Sequence, residues 1–214
     1  RKVDLEEAAR LEKEGNADKF LPLLSQNIST IEVGAYSQIF EKFIDFLSIK
    51  SLILTDIDAI KVTGQNAKGQ DEWGACPVNV GTKTSNSAIN HFLSAVTWND
   101  LKSLPVSNRT IVVGGSTVCI CYQQEEDTYH ARSFEDAFIH LNRAFVKGNK
   151  DTFQGIKNAS DFDDDAKSPY DLADKCVKKK THFALDILYH SDETFSNWNI
   201  PAYIKNGLLW LKED

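Results

Sequence analysis

Residues 52–62 read LILTDIDAIKV. An apolar run, Leu52–Leu54, is followed at once by two aspartates, Asp56 and Asp58, one residue apart. A strand needs Leu52 to Leu54 for a core, but it gains nothing from two carboxylates just past its end. If the chain stays extended, residues i and i+2 face the same side and the two negative charges repel. A divalent cation between them removes that penalty, and carboxylate oxygens are natural ligands of Mg²⁺. The competing reading is a turn, where Asp is common.

The surrounding chain predicts an α/β domain. Residues 28–33, ISTIEV, alternate as a strand does, and Gly34 follows. Tyr36, Ile39, Phe40, Phe43 and Leu47 then recur at helical spacing. With the run ending at Asp56, this predicts a β-loop-α-β unit of the kind that builds a parallel sheet. In such sheets ligands bind outside the C-terminal ends of the strands. Residues 4–14 predict a charged helix closed by Gly15. Residues 61–83, rich in Gly, Asn and Lys, predict a long surface loop. A helix start at 84–94 and a short helix at TWNDLKSL (97–104) precede RTIVVGGSTVCICYQ (109–123), which is strongly β with Gly114-Gly115 as a turn or bulge. Helices are expected at 133–146, 175–190 and 201–212, and 149–174 reads as a solvated acidic insertion.

The 214 residues suffice for one domain or one plus an insertion. Composition is that of a soluble globular protein, with 42% hydrophobic and 26% charged residues. No apolar run approaches the ~20 residues of a membrane helix, and no signal peptide opens the chain. Four cysteines without a CxxC pair read as buried reduced thiols and point to the cytoplasm. A net charge of −7 argues against a protein that coats nucleic acid, but not against a nuclease whose carboxylates bind cations. A start at Arg1 and the lack of Met read as a piece of a longer polypeptide.

Two further segments carry candidate chemistry. In ARSFEDAFI (131–139), Ser133 and Asp136 fit a helix capping box, and Glu135 is a favourable charge in the first turn. The same Ser133 and Glu135 at a helix N-terminus also suit metal ligation; spacing alone favours the capping account. In CVKKKTHFALDIL (176–188), Lys180 lies on the edge of an apolar face formed by Phe183, Ala184, Ile187 and Leu188. Such a lysine is either solvated or, beside carboxylates, placed to touch a phosphate or a water. No Walker-A loop or Ser-His-Asp signature is present, and the histidines have no metal spacing.

Four blocks in order, IEVGAYSQIFEKFIDFLSIKSLILTDIDA (31–59), YHARSFEDAFIHLN (129–142), KKKTHFALDILY (178–189) and WNIPAYIKNGLLWL (198–211), resemble the C-terminal region of OLD-family (overcoming lysogenisation defect) nucleases. The resemblance implies a Toprim-like parallel sheet flanked by helices, with a helical insertion near 143–175. It implies a DNA endonuclease or nickase that uses two Mg²⁺ or Mn²⁺ ions, a cytoplasmic and oligomeric protein, and in some members antiphage defence. Asp56 and Asp58 match the Toprim Asp-x-Asp, and Ser133 and Glu135 match the later metal ligands. Lys180 matches the catalytic lysine, with Lys179 adjacent. ATP would bind only through an ATPase domain upstream. The family's first glutamate, in a Gly-x-x-Glu context, has no match: Glu6 and Glu7 are expected in a helix and Glu32 on the later strand. Two other functions fit parts of the pattern. One is a haloacid-dehalogenase-type phosphatase, with Asp56 as nucleophile and DFDDDAK (161–167) as its late acidic motif, although Ala59-Ile60 and a preceding βα unit do not suit it. The other is a nuclease-derived module that binds DNA or a partner without cutting.

Overall fold

The computed structural model describes residues 1–212. Helix α1 (Lys2–Lys13) ends before Gly15, whose φ of +71° closes it as the sequence predicts. The strand expected over 28–33 does not form. Those residues pair with no described strand, and Ile31 is exposed. Without a partner an extended segment leaves its N–H and C=O groups unbonded, so alternation alone does not make a strand. The chain instead turns through a 3-10 helix (Gly34–Phe40) into α2 (Glu41–Leu47). The helical apolar row is present, but Tyr36, Ile39, Phe43 and Leu47 face water.

Strand β1 (Ser51–Leu54) follows. The loop expected over 61–83 is largely a hairpin of β2 (Ala59–Gln65) and β3 (Asp71–Ala75). Asn66 and Gly69 make the turn: Asn66 Oδ1 accepts the amides of Lys68 and Gln70, and Gly69 has φ +72°. Strand β4 (Lys83–Thr84) pairs with β2. Helices α3 (Ser87–Phe92) and α4 (Trp98–Ser103) are capped by the side chains of Asn86 and Thr97. Strands β5 (Thr110–Val113) and β6 (Ser116–Cys121) form the expected hairpin at Gly114-Gly115. Gly114 has φ +56°, which strains any residue with a Cβ, and a Cβ there would also displace the Asp45 carboxylate, so glycine is favoured.

Strand β6 is central: β1 pairs with it in parallel and β5 antiparallel. The sheet is thus mixed rather than wholly parallel. Ile53, Val118, Ile120 and Tyr122 join Ile57, Ile89 and Leu101 in one core. Each fully buried Ile or Val contributes about 1.5–3 kcal/mol relative to exposure.

Past the small hairpin of β7 (Glu125–Glu126) and β8 (Tyr129–His130) the chain is helical. The single helix expected over 133–146 is two, α5 (Phe134–Leu141) and α6 (Arg143–Asn149). They meet at Asn142, whose side chain trades two hydrogen bonds with the Asn199 backbone and so fixes a break. The segment 149–174 is not wholly solvated, since Phe153, Phe162 and Leu172 are buried. Helix α7 (Pro169–Cys176) packs there. The helix expected over 175–190 begins only at Lys180, because Val177 bridges to Ile156 first. This makes α8 (Lys180–Tyr189), and α9 (Ala202–Lys212) lies against β1 and β6. Phe138, Phe183 and Ile187 anchor a second core among these helices. All four cysteines are buried free thiols, and no described helix is long and apolar enough to cross a membrane.

The start of α8 is fixed by Gly155. Its carbonyl accepts the amides of Lys178 and Lys179, and its own amide donates to Asp186. A Cβ at Gly155 would sit 2.3 Å from the Phe183 nitrogen. Gly155→Ala is therefore expected to cost about 1–3 kcal/mol or more. Gly148→Ala, in open space near the end of α6, should stabilise by about 0.5–1 kcal/mol. Urea unfolding of the two variants checks this; equal effects would contradict the packing.

Candidate functional site

The parallel register of β1 and β6 pairs Leu54 with Cys121, and Thr55 extends the ladder by donating to the Cys121 carbonyl. Two residues further, Asp56 meets Gln123. The Gln123 amide bridges the segment: Nε2 donates to Asp56 Oδ1 (2.6 Å), and Oε1 accepts the Ile57 amide (2.7 Å). The Phe134 amide, in the first turn of α5, donates to the same Oδ1 (2.9 Å). Asn86, while capping α3, donates to Thr55 Oγ1 and to the Asp56 carbonyl.

Asp58 does not continue an extended chain. Its φ is +47°, and its amide and carbonyl are held by Arg132 and Ser85. Its carboxylate pairs with Arg132 at 3.0 Å. The expected side-by-side strand geometry of the two aspartates is thus replaced by a turn. The Asp58 charge still acts on Asp56. Burial pushes the Asp56 carboxyl up to about 6, with the Asp58 and Glu135 charges adding to it and the Gln123 bond opposing. Asp58 is raised by burial too, against Arg132 and Lys180.

The start of α5 supplies the rest. Ser133 is the N-cap and accepts the Asp136 amide, so the capping role is realised. Asp136 reaches back to the Arg132 amide rather than to that of Ser133, and also accepts from the Tyr129 hydroxyl. Glu135 is 6% exposed, and Lys180 donates to it at 3.0 Å. Burial pulls the Lys180 pKa down, but Glu135, Asp56 and Asp58 outweigh it and hold the value above that of a free lysine. Lys178 is turned away to the Asp174 carbonyl, and Lys179 stands exposed as the N-cap of α8. Ser133, Glu135, Arg132 and Lys180 line an open cleft of about 140 Å³ with Tyr170 and Asp174.

The five residues singled out in the sequence, Asp56, Asp58, Ser133, Glu135 and Lys180, therefore converge from three distant segments. Among the described residues, no group of three or more His, Cys, Asp or Glu side chains is placed to hold a metal ion. The donor chemistry nevertheless suits a hard divalent cation. Three carboxylates face two cations: Arg132 serves Asp58 and Lys180 serves Glu135, while Asp56 has only neutral donors. The acids of 161–167 lie elsewhere, with Asp161 paired to Lys167 and Asp163 to Lys150, so they supply no phosphatase motif to this cleft. Gln123, Asn86 and Arg132 were not picked out from the sequence. The signal for Gln123 was positional: it lies two residues past the end of β6, which pairs in parallel with β1, and Asp56 lies two residues past the end of β1.

No family model matches the chain, and no solved structure matches it. The chain is 28% identical to Endonuclease GajA of Bacillus cereus (strain HuB5-5), over 83% of this chain and 26% of that protein. It thus spans about a quarter of the length of that curated relative. The match bears out the resemblance to OLD-family nucleases carried by the four sequence blocks.

Folded Asp56 keeps its proton up to about pH 6, whereas an unfolded Asp releases it near 3.9. The folded state binds more protons between those values, so stability falls as pH rises through the window, by about 3 kcal/mol for a two-unit gap. In EDTA, the wild type should melt at a higher temperature at pH 5 than at pH 7.5, and Asp56→Asn should lose that part of the dependence. Asp136, also pushed up to about 6, titrates in both proteins, so their difference isolates Asp56. Parallel profiles would show that Asp56 carries no such strain.

Proposed function

We propose that this chain is the nuclease domain of a longer OLD-family ATPase–nuclease, a Toprim-like α/β unit with 143–175 as a helical insertion. It would hydrolyse DNA phosphodiester bonds with Mg²⁺ or Mn²⁺, two ions in the complete protein. The observation that carries this is the convergence of Asp56, Asp58 and Glu135 with Lys180 at the C-terminal end of β1. The match to an endonuclease supports it. ATP would act through the upstream domain of the same polypeptide, in an oligomeric cytoplasmic protein serving antiphage defence.

Asp56, Asp58 and Glu135 would hold the cation, with Ser133 beside them. When bound, a divalent cation polarises the scissile phosphate and lowers the pKa of a bound water. The protein's own groups have separate tasks. Gln123 and the Phe134 amide fix the Asp56 carboxylate, and Arg132 orients Asp58. With no cation bound, the carboxylates around Lys180 outweigh burial and favour its charged form. A charged Lys180 would serve as an electrostatic clamp on the phosphate.

Lys180→Ala should slow Mn²⁺-dependent nicking of supercoiled plasmid by ~10²–10³. Because it also strips Glu135 of its cation, Lys180→Arg is the sharper variant: it keeps the charge and should restore the melting temperature and part of the rate, whereas a restored melting temperature with no rate would make Lys180 a proton-transfer group. Lys179→Ala should behave as wild type, and Asp58→Ala should abolish nicking. The assay is run on this chain and on the longer polypeptide. Near-normal nicking by Lys180→Ala in both would remove Lys180 from the chemistry.

A further inference from the structure

The positive charges that face the carboxylates of the cleft belong to the protein itself. Arg132 Nη2 lies 3.0 Å from the Asp58 carboxylate, and Lys180 Nζ lies 3.0 Å from that of Glu135. The two basic groups are held differently. The Arg132 guanidinium is anchored, because its Nε donates to the Ala59 carbonyl at 3.0 Å. Neither of its terminal nitrogens donates a hydrogen bond to a described residue, and neither is a buried atom left unpaired. They face the open cleft that Arg132 lines with Glu135 and Lys180. Lys180 has no such anchor; it donates to Glu135 from a side chain that is largely exposed.

The acids do not need these basic groups for their placement. The Asp58 amide donates to the Arg132 carbonyl, and the Asp58 carbonyl accepts the Ser85 amide, so backbone bonds fix the left-handed turn. The Arg132 amide is held in turn by Asp136. Glu135 stands in the first turn of α5, whose start is capped by Ser133. What Arg132 and Lys180 add is charge. A guanidinium stays ionised wherever it sits, and its anchor at Ala59 keeps it beside Asp58 when another cation arrives. Like charges a few ångströms apart, with the screening usual near a protein surface, repel enough to weaken binding by about tenfold or more. With both ion pairs in place, no three acids among the described residues are arranged around one point.

We propose that Arg132 and Lys180 are resident competitors of the divalent cation. They hold Asp58 and Glu135 in the free protein and set the metal affinity of the cleft below what its carboxylates alone would give. The site then stays on its internal ion pairs until the cation is abundant. This rests on the reading of the cleft as a metal-dependent nuclease site, and it adds what controls the loading of that site.

The test is Mn²⁺ binding without DNA, read from the electron paramagnetic resonance of free Mn²⁺ during a titration. Arg132→Gln should bind Mn²⁺ about tenfold more tightly than wild type. Lys180→Gln, at an exposed side chain, should bind it several-fold more tightly, and it decides alone if Arg132→Gln does not fold. Lys68→Gln, the same charge change at the turn of the β2–β3 hairpin, should stay within about twofold. In EDTA, Arg132→Gln should melt below wild type, because Asp58 loses its cation; adding Mn²⁺ should then raise its melting temperature by more than it raises that of wild type. A purely structural role would instead lower stability and Mn²⁺ affinity together. A variant that binds Mn²⁺ no more tightly than wild type removes its residue from the account, and two such variants overturn the proposal. Asp58→Ala separates this from the reading beneath it. Loss of Mn²⁺ binding in Asp58→Ala, with Arg132→Gln and Lys180→Gln like wild type, leaves the metal site and removes the competition. Unchanged Mn²⁺ binding in Asp58→Ala removes the metal site itself.

Discussion

The buried carboxylate of Asp56 sets the terms for the rest of the site. A charge taken out of water must be bonded, paired or protonated. Here it is bonded twice at one oxygen, by Gln123 just past the end of β6 and by the first-turn amide of α5. Both donors exist only because β1 pairs in parallel with β6 and because α5 points its N-terminus at the end of β1. The bonds do not cancel the burial, and Asp58 and Glu135 add to the strain. The fold thus keeps a carboxylate that is costly at neutral pH, and the divalent cation proposed for this site would remove that cost.

The helical half supplies the counter-charges. Phe138 of α5 stacks edge-on with Phe183 of α8, at 6.0 Å between ring centres. That contact fixes the spacing between the helix that carries Glu135 and the helix that begins at Lys180. Gly155 lets the chain pass under α8 closely enough for this to happen. Lys180 therefore reaches Glu135 from a short distance while 67% of its side chain stays exposed, leaving its ammonium accessible to a phosphate.

Much of this was legible in the sequence because it depends on local signals. Leu52–Leu54, the run before Gln123, the cap at Ser133, and Gly114-Gly115 each carry their structure in a few residues. Where the sequence misled, the deciding interaction was distant. Alternation at 28–33 lacks a partner strand, and Asn66 and Gly69 within 61–83 are turn residues of a hairpin. Asn142 breaks a helix through a bond to Asn199, 57 positions away. The site residues Asp56, Asp58, Ser133, Glu135 and Lys180 stood out by type and by family resemblance. Gln123 and Arg132 did not, because their roles arise from strand register and from a left-handed turn at Asp58.

The central claim is that the strain at Asp56 is the signature of a cation site. Anomalous diffraction from a Mn²⁺-soaked crystal tests it directly. The account predicts a peak against the carboxylates of Asp56 and Asp58, lost in Asp56→Asn. Manganese bound only at the acidic loop 161–165, with nothing at Asp56 and Asp58, would contradict it.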